Sequence, residues 1–161
     1  MTRAVIGWGL ARFCLPAWIG AAVLFVWVGV REVTTPEFTS EIKDRLVTLR
    51  FPSYYMTGAT LLSCAGAGCL IALTSRYSRR AVLVPLLLVL IASGLMAYDY
   101  LSIYSPLAAL VTPPGKPRTM EFLSLHQWSM RINTVHLALC LVAALWLQKS
   151  PPGLHHNQPQ A

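Results

Sequence analysis

Charge is scarce in this chain of 161 residues and negative charge scarcest, with 12% of residues charged and only six acids among them. A water-soluble globule carries roughly 25%. That shortage excludes a soluble enzyme, and an apolar content of 55% excludes a disordered tail. Cysteine is also sparse: Cys14, Cys64, Cys69 and Cys140 all lie in apolar stretches with no CxxC spacing. Neither a secreted disulfide scaffold nor a cysteine metal clip fits, and the four read as buried free thiols. HExxH, GxSxG, P-loop and GxGxxG patterns are missing too, which removes the usual zinc, serine and nucleotide chemistries. The two halves show no internal repeat of the transporter kind.

What the chain has instead is long uncharged runs, at 13–30, 51–75, 81–98 and 132–148, and a mean hydropathy of +0.55. Each run approaches the ~20 residues that carry a helix across a ~30 Å hydrocarbon core. We therefore expect an all-α integral membrane protein, a four-helix antiparallel bundle occupying residues 1–149. Its spans are placed at about 13–31, 52–74, 81–104 and 125–148. Pro16 falls in the first turn of the first span, where a missing N–H costs little. No small-x-small cleavage site follows that span, so it is read as retained rather than as a leader.

Thr35-Pro36-Glu37 is a helix-start signal, and Phe38, Ile42, Leu46 and Leu49 then form one apolar stripe on a charged helix. Residues 36–49 are read as an amphipathic helix lying in the membrane interface, with Glu37, Glu41, Lys43, Asp44 and Arg45 on its remaining faces. Pro106, Pro113 and Pro114 argue for an irregular or re-entrant loop over 100–115. The fourth helix begins near Thr119, with Glu121 in its first turn, and the Pro-rich tail 150–161 is expected to be disordered.

The net charge of +7 is read as a rim of cations beside lipid headgroups, not as a nucleic-acid footprint. Arg76, Arg79 and Arg80 crowd one short turn, which favours the cell membrane with both termini cytoplasmic. Small residues dominate from Gly58 to Cys69, so Gly58, Ser63 and Gly66 are expected to let helices approach closely.

Most of the intramembrane polarity lies on the fourth helix. His126, Ser129, Asn133, His136 and Cys140 follow spacings of three, four, three and four, which place them within about 80° of one another at 100° per residue. Arg131 falls on the opposite face. Polar groups in hydrocarbon need partners, so this stripe is read either as a binding site or as interhelical hydrogen bonding. His126 and His136 are too far apart to share one metal, so a metal or haem site must recruit other groups. Asp99, flanked by Tyr98 and Tyr100, ends the third span on the side where His126 enters, and a carboxylate there can fix an imidazole tautomer. Arg50, Tyr54 and Tyr55 belong to the same side and are expected to form a rim over the stripe.

Arg12-Phe13, Trp18-Ile19-Gly20, Thr35-Pro36-Glu37-Phe38, Arg50-Phe51-Pro52-Ser53-Tyr54-Tyr55 and Glu121-Phe122-Leu123 running into Leu125-His126 and Asn133 together resemble the transmembrane-protein-205-like domain. A more distant similarity is to copper-resistance-D-like membrane proteins, some of whose relatives bind haem. The resemblance spans about residues 12–147. It implies a four-helix membrane protein with a family-like pair at Trp18 and Gly20 and another at His126 and Asn133, and adds little about chemistry. Taken together, the chain is expected to be a binding or permeation module for a small ligand, metal or proton. The alternatives are a structural or assembly protein, with homo-oligomers or a membrane protein as partner, and a haem-dependent redox protein.

Overall fold

A computed structural model describes residues 2–74 and 79–149, so most of the Arg-rich turn and the expected disordered tail lie outside the described residues. Within them the chain is all-helical, with no strand, and four rods are long and apolar enough to cross a membrane.

The first, α1, runs from Thr2 to Thr34. It starts well before the expected residue 13 because its packing stripe does. Ala4, Trp8, Ala11, Leu15, Trp18 and Ala22 recur at spacings of three and four and are all buried. Charges at Arg3 and Arg12 flank this stripe without interrupting it. Pro16 accordingly lies deep inside the helix, on an exposed face, and not in its first turn.

Thr39 caps α2 (Ser40–Leu73), its hydroxyl accepting the Ile42 N–H at 3.4 Å. Thr35 to Glu37, expected to begin a helix, instead forms the turn from α1. A separate interfacial helix over 36–49 is also absent, because α2 passes straight through Pro52 as one 34-residue rod. Tertiary contacts hold its first turns. Asp44, expected on a solvated face, is buried and accepts hydrogen bonds from the Gly115 N–H, at 2.8 Å, and from Arg118. The loop 111–119 is thereby fastened across the start of α2.

Arg79 to Leu110 is a third continuous rod, made of α3 (Arg79–Tyr98), a wide π turn (Asp99–Tyr104) and α4 (Ser105–Leu110). The expected break near Tyr104 and irregular stretch from 100 do not occur. Pro106 has no N–H and its ring crowds the carbonyl four residues back, and the π turn just before it opens the ladder so the helix continues. The Ser105 N–H reaches the Tyr100 carbonyl, five residues back. The fourth rod, α5 (Met120–Gln148), follows the expected bounds, its Thr119 hydroxyl accepting from the Phe122 N–H at 3.1 Å.

Each rod packs against two others: α1 on α2 and α5, and α3 on α2 and α5. Outward faces are apolar, with Phe13, Leu24, Trp27, Leu87 and Leu145 all exposed. The closest approach is between α1 and α2 at Gly7 and Gly68. A Cβ on either glycine would stand 2.6 Å from the carbonyl oxygen of the other, so the two backbones touch. Gly20 and Ser63, expected at helix interfaces, are exposed, and nothing lies within 4 Å of a Cβ on Gly20. Gly66 faces Val89 of α3 at ordinary contact distance, 3.9 Å.

Gly68→Leu should therefore force α1 from α2 and lower the stability of the purified protein by about 1–3 kcal/mol. Gly9→Ala, where a Cβ meets nothing, should leave the thermal midpoint unchanged or slightly raised.

Candidate functional site

Two buried polar groupings lie between the rods, about one helical turn apart along α5. The first is built on Asp99, which opens the π turn and is 1% exposed. Its Oδ2 accepts three hydrogen bonds: from the Tyr55 hydroxyl at 2.6 Å, from Asn133 Nδ2 at 2.8 Å and from the Ser129 hydroxyl at 3.2 Å. Tyr54, next to Tyr55 on α2, donates to Asn133 Oδ1 at 2.9 Å. Three rods meet at one carboxylate oxygen. Among the described residues the other oxygen, Oδ1, is buried with no hydrogen-bond partner, and Asp99 is in no ion pair.

The second grouping joins α1, α3 and α5. Trp18 donates its indole N–H to His136 Nε2 at 2.8 Å, and His136 Nδ1 stands 2.8 Å from the Ala92 carbonyl oxygen. A carbonyl only accepts, so Nδ1 carries the proton and Nε2 is the acceptor. The neutral tautomer is fixed from both sides. Cys140 Sγ lies 4.0 Å from the same Nε2. Gly58 of α2 makes the space, because a Cβ there would meet Trp18 at 2.7 Å and Met96 at 2.8 Å. The small residue at 58 thus does the packing expected of it, for an indole more than for a backbone.

Aromatic rings join and extend the groupings. Tyr54 packs on Trp18 at 4.9 Å and on Phe25 at 4.4 Å, while Tyr55 meets Tyr100 at 5.0 Å and Tyr104 at 5.2 Å. Tyr54 and Tyr55 are consequently interior residues and not a rim. Arg50 is no lid over the stripe either. It turns toward α1, its guanidinium 4.7 Å from the Phe25 ring centre and Nη1 3.0 Å from Glu32 Oε2.

Of the expected stripe, Ser129, Asn133, His136 and Cys140 point inward, and Arg131 points outward beside Trp128. His126 does not join them. It is exposed and stacked on Phe122 at 5.9 Å, so the expected contact between Asp99 and an imidazole is not made. Asp99 continues the buried α3 stripe of Val89, Ala92 and Met96 at spacings of three and four and faces Asn133, whereas Tyr98, 56% exposed, faces out. With both nitrogens of His136 engaged, no ring nitrogen of the interior is free for a haem iron or other metal among the described residues. Nor, among them, do three His, Cys, Asp or Glu side chains gather to hold a metal ion.

The hydrogen bond that Trp18 donates to His136 was not visible in the sequence pattern. The only signal was the need of an interior His136 for partners. Asp44 was missed likewise, because it stands off the apolar stripe among charged neighbours.

Compared with protein-family models, curated proteins and solved structures, the chain matches none.

Trp18→Phe should cost about 1–3 kcal/mol by leaving His136 Nε2 without its donor. Combined with His136→Leu, the loss should fall short of the sum of the single losses by about 1 kcal/mol, read from thermal or denaturant unfolding.

Proposed function

We propose that this chain is a multi-pass integral membrane protein whose four rods form an antiparallel bundle, and that the Asp99 cluster binds a small cation, a proton being the smallest. The membrane placement rests on four long apolar rods with apolar outward faces. The motif resemblance to the transmembrane-protein-205-like domain, and more distantly to copper-resistance-D-like proteins, belongs to the same proposal. Four crossings put both ends of the chain on one side. That side is taken as the cytoplasmic one on the density of Arg in the short 75–80 turn, which includes Arg79 and Arg80. Continuous α2 replaces the interfacial helix in this reading, its first turns standing clear of the hydrocarbon.

One observation carries the cation site: the Oδ1 oxygen of Asp99, buried without a hydrogen-bond partner among the described residues. A bare carboxylate in a low-dielectric interior is unstable, and it is neutralised by a proton, a metal cation or a basic side chain. No basic side chain pairs with Asp99 among the described residues. The hydroxyls of Ser129, Tyr54 and Tyr55 and the Asn133 carbonyl supply further oxygens, all hard donors suited to a proton or alkali cation. Permeation is the further step of this proposal, with the half-buried Ser129 as the link toward the membrane surface.

A second reading, a structural or assembly role, is favoured by the convergence of α2, α3 and α5 on one oxygen. Interhelical hydrogen bonds of this kind contribute roughly 0.6 kcal/mol each. In that role a second copy or another membrane protein is the partner.

Asp99→Asn separates the two readings, because the amide oxygen keeps the three acceptor bonds while the charge is lost. We expect wild-type protein to show either a protonated-carboxyl infrared band that shifts on hydrogen–deuterium exchange or a carboxylate band that shifts on exchanging sodium for choline, and the Asp99→Asn variant to lack both. A wild-type spectrum with neither band would overturn the cation site and leave the assembly role.

A further inference from the structure

Away from the Asp99 cluster, a cavity of about 310 Å³ opens between α1 and α2. That volume is at the small end for ligand sites. Its order of polarity follows the bilayer. Arg50 stands at the outer end, Ser53 and Thr57 follow one and two turns deeper on α2, and Phe25, Ala21 and Trp18 form the α1 wall. Spacings of three and four put Arg50, Ser53 and Thr57 on one face of α2. Its open side continues into exposed Leu49 and Met56.

Glu32 lies against Arg50 just outside the cavity wall, so this end holds groups of both signs. Arg50 and Glu32 are in contact at 3.0 Å, yet they are misaligned for a hydrogen bond. Among the described residues Arg50 Nε and Nη1 and Glu32 Oε2 are all buried without a hydrogen-bond partner. Ser53 and Thr57 contribute further donors. Thr48, Thr60, Ser93, Thr112 and Thr134 each donate to the carbonyl four residues back, whereas among the described residues Ser53 and Thr57 make no such bond.

We propose that this groove holds the headgroup of a phospholipid bearing a primary amine, of the ethanolamine class. The phosphate takes the N–H groups of Arg50, since a guanidinium suits a phosphate with paired bonds. The ammonium lies further out and donates to Glu32. The glycerol ester region lies beside Ser53 and Thr57, and the acyl chains run along the apolar outer surface by Met56. A simple anionic headgroup fits less well, because Glu32 repels it. A choline headgroup has the charges but no N–H to donate. The inference rests on the membrane placement above and is independent of the Asp99 cation site.

The test is native mass spectrometry of the full chain released from nanodiscs. The discs contain equal amounts of ethanolamine, choline and glycerol phospholipids with identical acyl chains. Wild type should retain the ethanolamine lipid about tenfold over the choline lipid, the worth of one charge-assisted hydrogen bond. Glu32→Gln should bring that ratio near one while phospholipid is still retained, and Arg50→Gln should lose retention of all three. If the Arg50 variant is not monodisperse, Thr57→Trp fills the groove and leaves the ion pair intact, and it should likewise evict lipid. Equal retention of ethanolamine and choline lipids by wild type, or a ratio unmoved by Glu32→Gln, overturns the proposal and leaves the membrane placement standing. A chain that retains no lipid and stays dispersed without detergent overturns both.

Discussion

A carboxyl group 1% exposed, held among rods whose outer surfaces are Leu, Val and Phe, sets the terms for what is packed around Asp99. Any polar atom in such an interior either finds a partner or raises the free energy of the fold by several kcal/mol. The four rods are arranged so that almost every one does. Tyr55 and Asn133 reach Asp99 from α2 and α5, Tyr54 holds the amide of Asn133 in register, and Ser129 adds a third donor. Because these partners come from two rods and Asp99 from a third, the same bonds that satisfy the carboxylate fix how the rods are rotated about their axes.

The π turn connects that chemistry to the backbone. Pro106 has no N–H to give the ladder, and the widened turn before it accommodates the ring. Asp99 and Ile103 turn inward, and Tyr100 and Tyr104 stack on each other at 5.6 Å beside Tyr55. The widened turn thus lets the rod continue to Leu110 and keeps Ile103 on the buried face that Asp99 shares with Met96.

Much of this was legible in the sequence, and the parts that were not have a common cause. Uncharged runs located the four rods, the Thr119 cap located the start of α5, and three-four spacing placed Ser129, Asn133 and His136 on one face. Charge and proline were poor guides to helix ends. Arg12 and Pro16 lie within α1, and Arg50 and Pro52 lie within α2, because backbone ladders stop where packing and capping stop and not where hydropathy changes. Partner choice was hidden for a different reason. His126 and Asn133 share a face of α5, but which of them meets Asp99 depends on the level at which the third rod packs along α5, and neither helix's own periodicity encodes that. Trp18 donating to His136 is a contact between α1 and α5 that neither helix's own pattern contains.

The identity of residue 99 bears on what the cluster is for. If holding three rods together were its whole role, an asparagine would serve. Its amide oxygen accepts the same bonds, and its interior cost is that of a neutral group. A carboxyl group demands more from its surroundings, namely a proton or cation to offset the charge, and the surroundings supply hydroxyl and amide groups but, among the described residues, no basic side chain. The chain does place ion pairs at its packing contacts, Arg50 of α2 with Glu32 of α1, and Arg118 with Asp44. Both of those acids sit toward the ends of the rods and both have a guanidinium. Among the described residues Asp99 has none, and that difference is the support for the proposed cation site.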